Sequence, residues 1–262
     1  RQSLIWFDII GRRMFEKPLD GARRHWDFAD PVSAAGIVDA DRIIVASSRA
    51  LSLVDLRDGA AQILVPLEAD NAVTRSNDGR ADPQGGFWIG TMGLNAEPGA
   101  GSIWRFHRGE LRRLFPDITI TNAICFSPEG DLAHFADTDR STIWQVRLDR
   151  DGWPAGDPQV FIDLNAEGLN PDGAVIDAQG GLWSAQWGAG RVARYDRQGR
   201  FDRAIDLPAP HVSCPAFGGA DLATLFATTA RQGLDDPRDT DGCTYAVPAG
   251  VAGQQEHRVI LG

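Results

Sequence analysis

No stretch of this sequence approaches the unbroken apolar run of about 18 residues that a membrane-crossing helix needs, so a bilayer-embedded chain is not expected. Positive charge is also in short supply, with 26 Lys and Arg against 36 Asp and Glu and a formal net charge of −10. Nucleic-acid binding draws much of its affinity from positive charge that releases counterions from phosphates. Neither nucleic acid nor an anionic membrane surface is therefore an expected partner. Cysteine is sparse: Cys125, Cys214 and Cys243 are odd in number, widely spaced, and without the CxxC or histidine-rich company that marks zinc. They read as buried or half-buried free thiols in a reducing, cytoplasmic setting. A sustained 3.6-residue apolar pattern is missing too, which removes long helices from the expected fold. No secretory signal is visible, although the sequence opens on Arg1, which is not a natural start.

What the sequence does contain is a repeat. Its 262 residues, 43% hydrophobic and 24% charged, suit a soluble globular protein. Three turns rich in Gly and acidic residues each lead into a short apolar strand: Asp82-Pro-Gln-Gly-Gly-Phe-Trp-Ile-Gly, Ser127-Pro-Glu-Gly-Asp-Leu-Ala-His-Phe and Asp177-Ala-Gln-Gly-Gly-Leu-Trp-Ser-Ala. A second strand with period-2 alternation follows each, as in Ser102-Ile-Trp-Arg-Phe and Thr142-Ile-Trp-Gln-Val-Arg-Leu, and then a third, as in Gln159-Val-Phe-Ile-Asp-Leu. Weaker copies begin near Leu4, Ile43 and Leu222, so the aligned positions are 4, 43, 87, 132, 182 and 222. A period of about 40 to 50 residues with three or four strands per unit is that of propeller blades. The expected fold is all-β, a six-bladed β-propeller forming one domain over residues 1–262. A β-sandwich would also give many short strands but has no reason to repeat at a fixed period.

In a propeller, equivalent positions on the first strand of each blade form a ring around one opening. Counting back eight residues from Gly85, Gly130 and Gly180 lands on Asn77, Asn122 and Asp172, all with side-chain oxygens suited to a hard cation. Taken singly, Asn-Asp-Gly or Pro-Asp-Gly is ordinary turn chemistry; agreement at one register position in three successive units points to a site. The same register gives Ser33 and a residue close to Ser213, while in the first unit it falls before Arg1. None of His25, His107, His134, His211 and His257 occupies the ring, and His134 reads as a packed core residue. Trp6, Trp88, Trp104, Trp144 and Trp183 read as packing aromatics. Trp187, beside Gly188, is a candidate for a pocket wall, and Asp137 and Asp139 are candidates either for turn capping or for the opening.

At these residues the chain resembles the SMP-30/gluconolactonase family, which includes regucalcin and bacterial sugar lactonases. The resemblance rests on Arg75-Ser-Asn-Asp-Gly-Arg-Ala-Asp-Pro-Gln-Gly with Gly90-Thr-Met, Ile120-Thr-Asn-Ala, Asn170-Pro-Asp-Gly, Cys214-Pro-Ala-Phe-Gly-Gly and Ala227-Thr-Thr-Ala-Arg-Gln-Gly, and it spans essentially all six units. It implies a six-bladed propeller holding one catalytic divalent cation, calcium above manganese, magnesium, zinc or ferrous iron. It further implies that Asn122 and Asp172 are metal ligands, that Asp172 is the general base, and that Arg75 and Asn77 bind a small-molecule sugar lactone, with no obligate protein partner. The family's remaining ligand is a Glu in a Gly-Glu-x-Pro-x-Trp segment ahead of the strand that here reads Ser3-Leu-Ile-Trp-Phe-Asp, a position that falls before Arg1. A substrate-contact Glu of the animal proteins has Asn95 and Glu97 as its nearest counterparts. Two other activities fit the same residues: hydrolysis of a phosphotriester, and cation or sugar binding without turnover, since a propeller alone implies no activity.

Overall fold

The computed structural model describes residues 2–262. Among them are 22 strands and one short 3₁₀ turn, Thr138–Arg140, and no helix is long and apolar enough to cross a membrane. The strands form six antiparallel sheets in chain order, and the protein is a six-bladed β-propeller. By internal contacts the chain divides into two compact units, 1–121 with 256–262, and 122–255.

The first unit holds three sheets. One is β1 (Ser3–Asp8), β2 (Arg13–Pro18) and β3 (Arg24–Asp27); the next is β4 (Val32–Ile37), β5 (Arg42–Ser47), β6 (Ala50–Asp55) and β7 (Ala61–Pro66); the third is β8 (Thr74–Ala81), β9 (Phe87–Gly93), β10 (Gly101–His107) and β11 (Glu110–Ile118). Runs such as Ile43-Ile44-Val45 supply the β-branched side chains that suit a pleated surface, and one buried core gathers Ile44, Leu51, Phe87, Ile89 and Phe106. The C-terminal segment returns to this unit: Val259 joins that core, and the Val259 and Ile260 amides donate to the Ile37 and Gly85 carbonyls.

In the second unit, β12 (Thr121–Phe126), whose first residue closes the first unit, is followed by β13 (Leu132–Asp137), β14 (Thr142–Arg147) and β15 (Gln159–Asp163). The next sheet is β16 (Asn170–Ile176), β17 (Leu182–Trp187), β18 (Arg191–Tyr195) and β19 (Phe201–Asp206), and the last is β20 (Val212–Gly218), β21 (Thr224–Thr229) and β22 (Thr244–Pro248). Ile143, Ile162, Leu182 and Tyr195 build one core, and Trp183, Val192, Phe217 and Leu225 another.

The repeat frame read from the sequence is one strand out of phase with these sheets. The Gly-rich turns join the first strand of a sheet to its second, so every sheet after the first starts a strand earlier than the frame suggests. The reason is compositional: first strands such as Thr74-Arg-Ser-Asn-Asp-Gly-Arg-Ala are polar and lack alternation, and so imitate turns. The turns themselves are held by a buried carboxylate. Asp177 Oδ1 accepts the Gln179 and Gly181 amides, each at 2.9 Å, while Oδ2 accepts Trp183 Nε1 at 2.9 Å and Arg194 Nε at 2.8 Å. Asp82 repeats the pattern with Gln84, Gly86 and a fully buried Arg105. In the intervening sheet, Ser127 Oγ accepts the Leu132 amide and donates to Asp131.

Of the packing aromatics, Trp88 and Trp183 are fully buried, and Trp104 packs against the first unit's core while its Nε1 donates to Glu68. Cys125 is buried and Cys214 half-buried, as expected, but Cys243 is exposed; all three are free thiols. His134 is a packed residue, 4% exposed and edge-on to Phe161, with Nδ1 lacking a hydrogen-bond partner. Burial pushes its pKa down to about 4 from the ordinary 6.5.

Two expectations follow. Asp177→Ala leaves three N–H donors and Arg194 Nε without their acceptor, while Arg194 Nη1 keeps its pairing with Asp202; it should lower the unfolding free energy by about 2–4 kcal/mol in urea titration, and Asp196→Ala, in a turn open to water, should lower it less. For His134, the unfolded chain takes up a proton near pH 6.5 that the folded chain refuses until about pH 4. Stability should therefore fall as pH drops through that window, by about 3 kcal/mol at most, and His134→Phe should flatten this part of the pH–stability curve.

Candidate functional site

Five ring positions expected from the register lie on the first strand of their sheets: Ser33 on β4, Asn77 on β8, Asn122 on β12, Asp172 on β16 and Ser213 on β20. At four of them the ladder slips. Ser33 is the extra residue between the Val32–Ser47 and Ala34–Ala46 pairs, and Ser213 the extra one between Val212–Thr229 and Cys214–Thr228. Asn77 and Asp78 together oppose Gly90 alone, and Asp172 and Gly173 together oppose Ala185 alone. A bulge of this kind bends the strand and re-aims the side chain at that point. Beside Asn122 the backbone deviates differently, with Ala123 in the left-handed region at φ 55°.

In the first unit the bulge gathers hydrogen-bond donors. Arg75 is 7% exposed, and its Nη1 donates to Asn77 Oδ1 at 2.8 Å and to the Ser76 carbonyl at 2.9 Å. The Asn77 Nδ2 donates to the Thr121 carbonyl at 2.8 Å. Ser33 joins the same group by donating to Ser76 Oγ at 2.8 Å. Arg75 and Asn77 are thus brought together. Asn95 and Glu97 are occupied with one another: the Asn95 amide and side chain both donate to the Glu97 carboxylate, chiefly through the Asn95 side chain, holding its pKa below the usual range.

In the second unit acceptors collect. Asn122 is 4% exposed, and its Nδ2 donates to Thr138 Oγ1 at 2.8 Å. Thr138 Oγ1 donates in turn to the Pro171 carbonyl at 2.6 Å. Pro171 immediately precedes Asp172, so a two-bond relay links the expected amide ligand to the backbone carrying the expected carboxylate ligand. Asp172 is half-buried, and its Oδ1 accepts the Gly173 amide at 2.9 Å. Residue 173 must be glycine here because a Cβ would meet Cys214 Sγ at 2.8 Å and the Ser213 carbonyl at 2.9 Å. That close approach seats the Asp172 bulge against β20.

Thr138 escaped the sequence reading, although its neighbours Asp137 and Asp139 drew attention. Asp137 is buried at the N-terminal edge of the 3₁₀ turn and Asp139 is exposed. His211 was missed as well. Its ring stacks on Trp187 with centroids 4.1 Å apart, Nδ1 lies 2.9 Å from the Gln232 carbonyl, and the pair flanks the starts of β16 and β20. Its place two residues before Ser213 was the available signal. Among the described residues no group of three or more His, Cys, Asp or Glu is placed to hold a metal; the Asn122 and Asp172 pair relies on an amide, which lies outside those residue types. The position expected before Arg1 lies outside the described residues.

The protein is thus of the six-bladed propeller class, with a polar residue at a first-strand bulge in four of its sheets. The chain belongs to the SMP-30/gluconolactonase/LRE-like family, whose profile matches residues 1–231. The structure superposes with a TM-score of 0.96 on a calcium-binding protein, regucalcin, from Agrobacterium tumefaciens, at 38% identity over 99% of this chain and 90% of that one. An L-arabinolactonase of Azospirillum brasilense is 34% identical over 90% of this chain and 79% of its own length. A 6-deoxy-6-sulfogluconolactonase of Pseudomonas putida is 31% identical over 97% of this chain and 90% of its own.

Proposed function

We propose that this protein is a metal-dependent hydrolase that opens a sugar lactone to its aldonic acid, working as a single propeller domain. The observation that carries the reading is the relay from Asn122 through Thr138 to the carbonyl beside Asp172. It ties the strand that carries Asn122 to the backbone next to Asp172, and an amide oxygen with a carboxylate is a donor set that fits a hard divalent cation such as calcium. The lactonase names of two relatives and the calcium-binding name of a third support it.

Asn122 and Asp172 would hold the cation. Bound there, it supplies Lewis acidity toward a lactone carbonyl and toward water. The carboxylate of Asp172 takes a proton from the attacking water as the water oxygen bonds to the carbonyl carbon. The ring C–O bond then breaks, and the ring oxygen leaves as the sugar's own hydroxyl once that proton is returned to it. One water is consumed, and the new carboxylic acid releases a proton at neutral pH. Arg75 presents a planar fork of N–H donors, already braced by Asn77, to substrate hydroxyls or to the developing oxyanion. Asn77 adds an amide donor, and the stacked Trp187 and His211 offer an apolar wall to a sugar ring.

The test is acid release in a pH-stat on aldonolactones, with a phosphotriester run in parallel. Asp172→Ala should lower kcat/KM for the lactone by a factor of about 10²–10⁴, and near-normal turnover in that variant would remove the assigned base. Arg75→Ala should chiefly raise KM, by about tenfold or more. Faster turnover of the phosphotriester would replace the lactone as substrate, and tight calcium binding without acid release would make the protein a binding module.

A further inference from the structure

An asparagine side chain can present either its oxygen or its nitrogen in one direction, and only the oxygen can bind a cation. What decides the choice at Asn122 is the count of hydrogens on its neighbour. A threonine hydroxyl has one hydrogen to donate, and the Pro171 carbonyl, 2.6 Å from Thr138 Oγ1, can only accept. The hydroxyl hydrogen is therefore committed to Pro171. The Asn122 side chain, 2.8 Å from the same hydroxyl oxygen, must face it with the NH₂ group. Its Oδ1 is turned the other way.

Asn77, at the equivalent register position, is locked by the same kind of counting. Arg75 has only hydrogens to offer and the Thr121 carbonyl only lone pairs, so the Asn77 oxygen faces the guanidinium and its nitrogen the carbonyl. Two identical side chains at one register position thus each have their polarity set by a neighbour that cannot reverse roles.

We propose that Thr138 is a positioning residue whose single hydroxyl hydrogen, committed to the Pro171 carbonyl, fixes the amide of Asn122 with its oxygen presented as a cation ligand. The inference rests on the reading that Asn122 and Asp172 hold the cation. Threonine is suited to the task because it spans the two strands without adding charge, and the carbonyl it leans on belongs to the residue before Asp172. Movement of β16 is thereby felt by both ligands.

The experiment measures Mn²⁺ and Ca²⁺ affinity by calorimetry for the metal-free full chain, for Thr138→Val, which keeps the shape and loses the hydroxyl, and for Thr138→Ser, which keeps the hydroxyl. Thr138→Val should weaken binding by about tenfold or more, with Thr138→Ser close to the parent and the melting temperature of the metal-free proteins nearly unchanged. In an Asn122→Asp background, where both side-chain oxygens are equivalent and there is no polarity to fix, Thr138→Val should cost little more. Thr138→Ala serves in place of the valine variant if the latter does not fold. Parent-like affinity in the hydroxyl-free variant, or equal losses with serine and valine, would overturn the proposal.

A second arm needs no metal. The Asn122 side-chain ¹H–¹⁵N signals, assigned by their loss in Asn122→Asp, should keep their hydrogen-bonded position in Thr138→Ser and leave it in Thr138→Val; signals that stay put overturn the lock. If the parent binds neither Mn²⁺ nor Ca²⁺, the functional reading falls, and this arm still decides the orientation of the amide.

Discussion

The candidate site depends on a constraint of β-sheet geometry: strand side chains alternate between faces, so an extra residue is the simplest way to turn one of them aside without ending the strand. Ser33, Asn77, Asp172 and Ser213 all occupy such extra positions. The hydrogen-bonded ladder resumes after each slip, so the cost is local and the rest of the sheet stays paired. Only the sequence at the bulge then needs to differ from one blade to the next. Arg75 and the Thr121 carbonyl hold Asn77, Thr138 holds Asn122, the Gly173 amide meets Asp172, and small hydroxyls stand at positions 33 and 213.

A bulge is useful only if its sheet is held firmly, and the buried carboxylates at the strand turns provide that hold. Asp82 and Asp177 each bind two turn amides with one oxygen and the arginine of a later strand with the other. Burying a carboxylate is costly without partners and tolerable with a full set. The turn that follows a bulged strand is therefore fixed at a short distance from the bulge itself. Ser127 meets the same need with a hydroxyl in the sheet that carries Asn122, so that turn is set without a buried charge.

Hydrogen counting adds a second layer of order. Groups that only donate, such as Arg75, or only accept, such as the carbonyls of Thr121 and Pro171, are polar anchors whose role cannot be exchanged. Asparagine between them has no choice of orientation. Polarity then becomes a property of the fold, set separately for the asparagine of each blade.

Much of this was legible in the sequence. The recurrence of Gly-rich turns near a 45-residue spacing determined the number and kind of sheets, because a blade cannot bury its faces without neighbours. The same spacing singled out Asn77, Asn122 and Asp172, because residues at one register position share one place on a repeated strand. The burial of His134 also followed from its setting among apolar residues. The sequence could not supply the phase of the repeat, since the polar first strands look like turns until their partners are seen. It could not supply Thr138 or His211 either, whose parts rest on contacts across 16 and 33 residues for Thr138 and on a ring stack with Trp187 for His211. Local pattern fixes which residues form strands and which positions are equivalent; which hydrogen faces which oxygen is decided only when separate strands meet, because hydrogen bonds between side chains depend on distance and direction in space and leave no periodic trace along the chain.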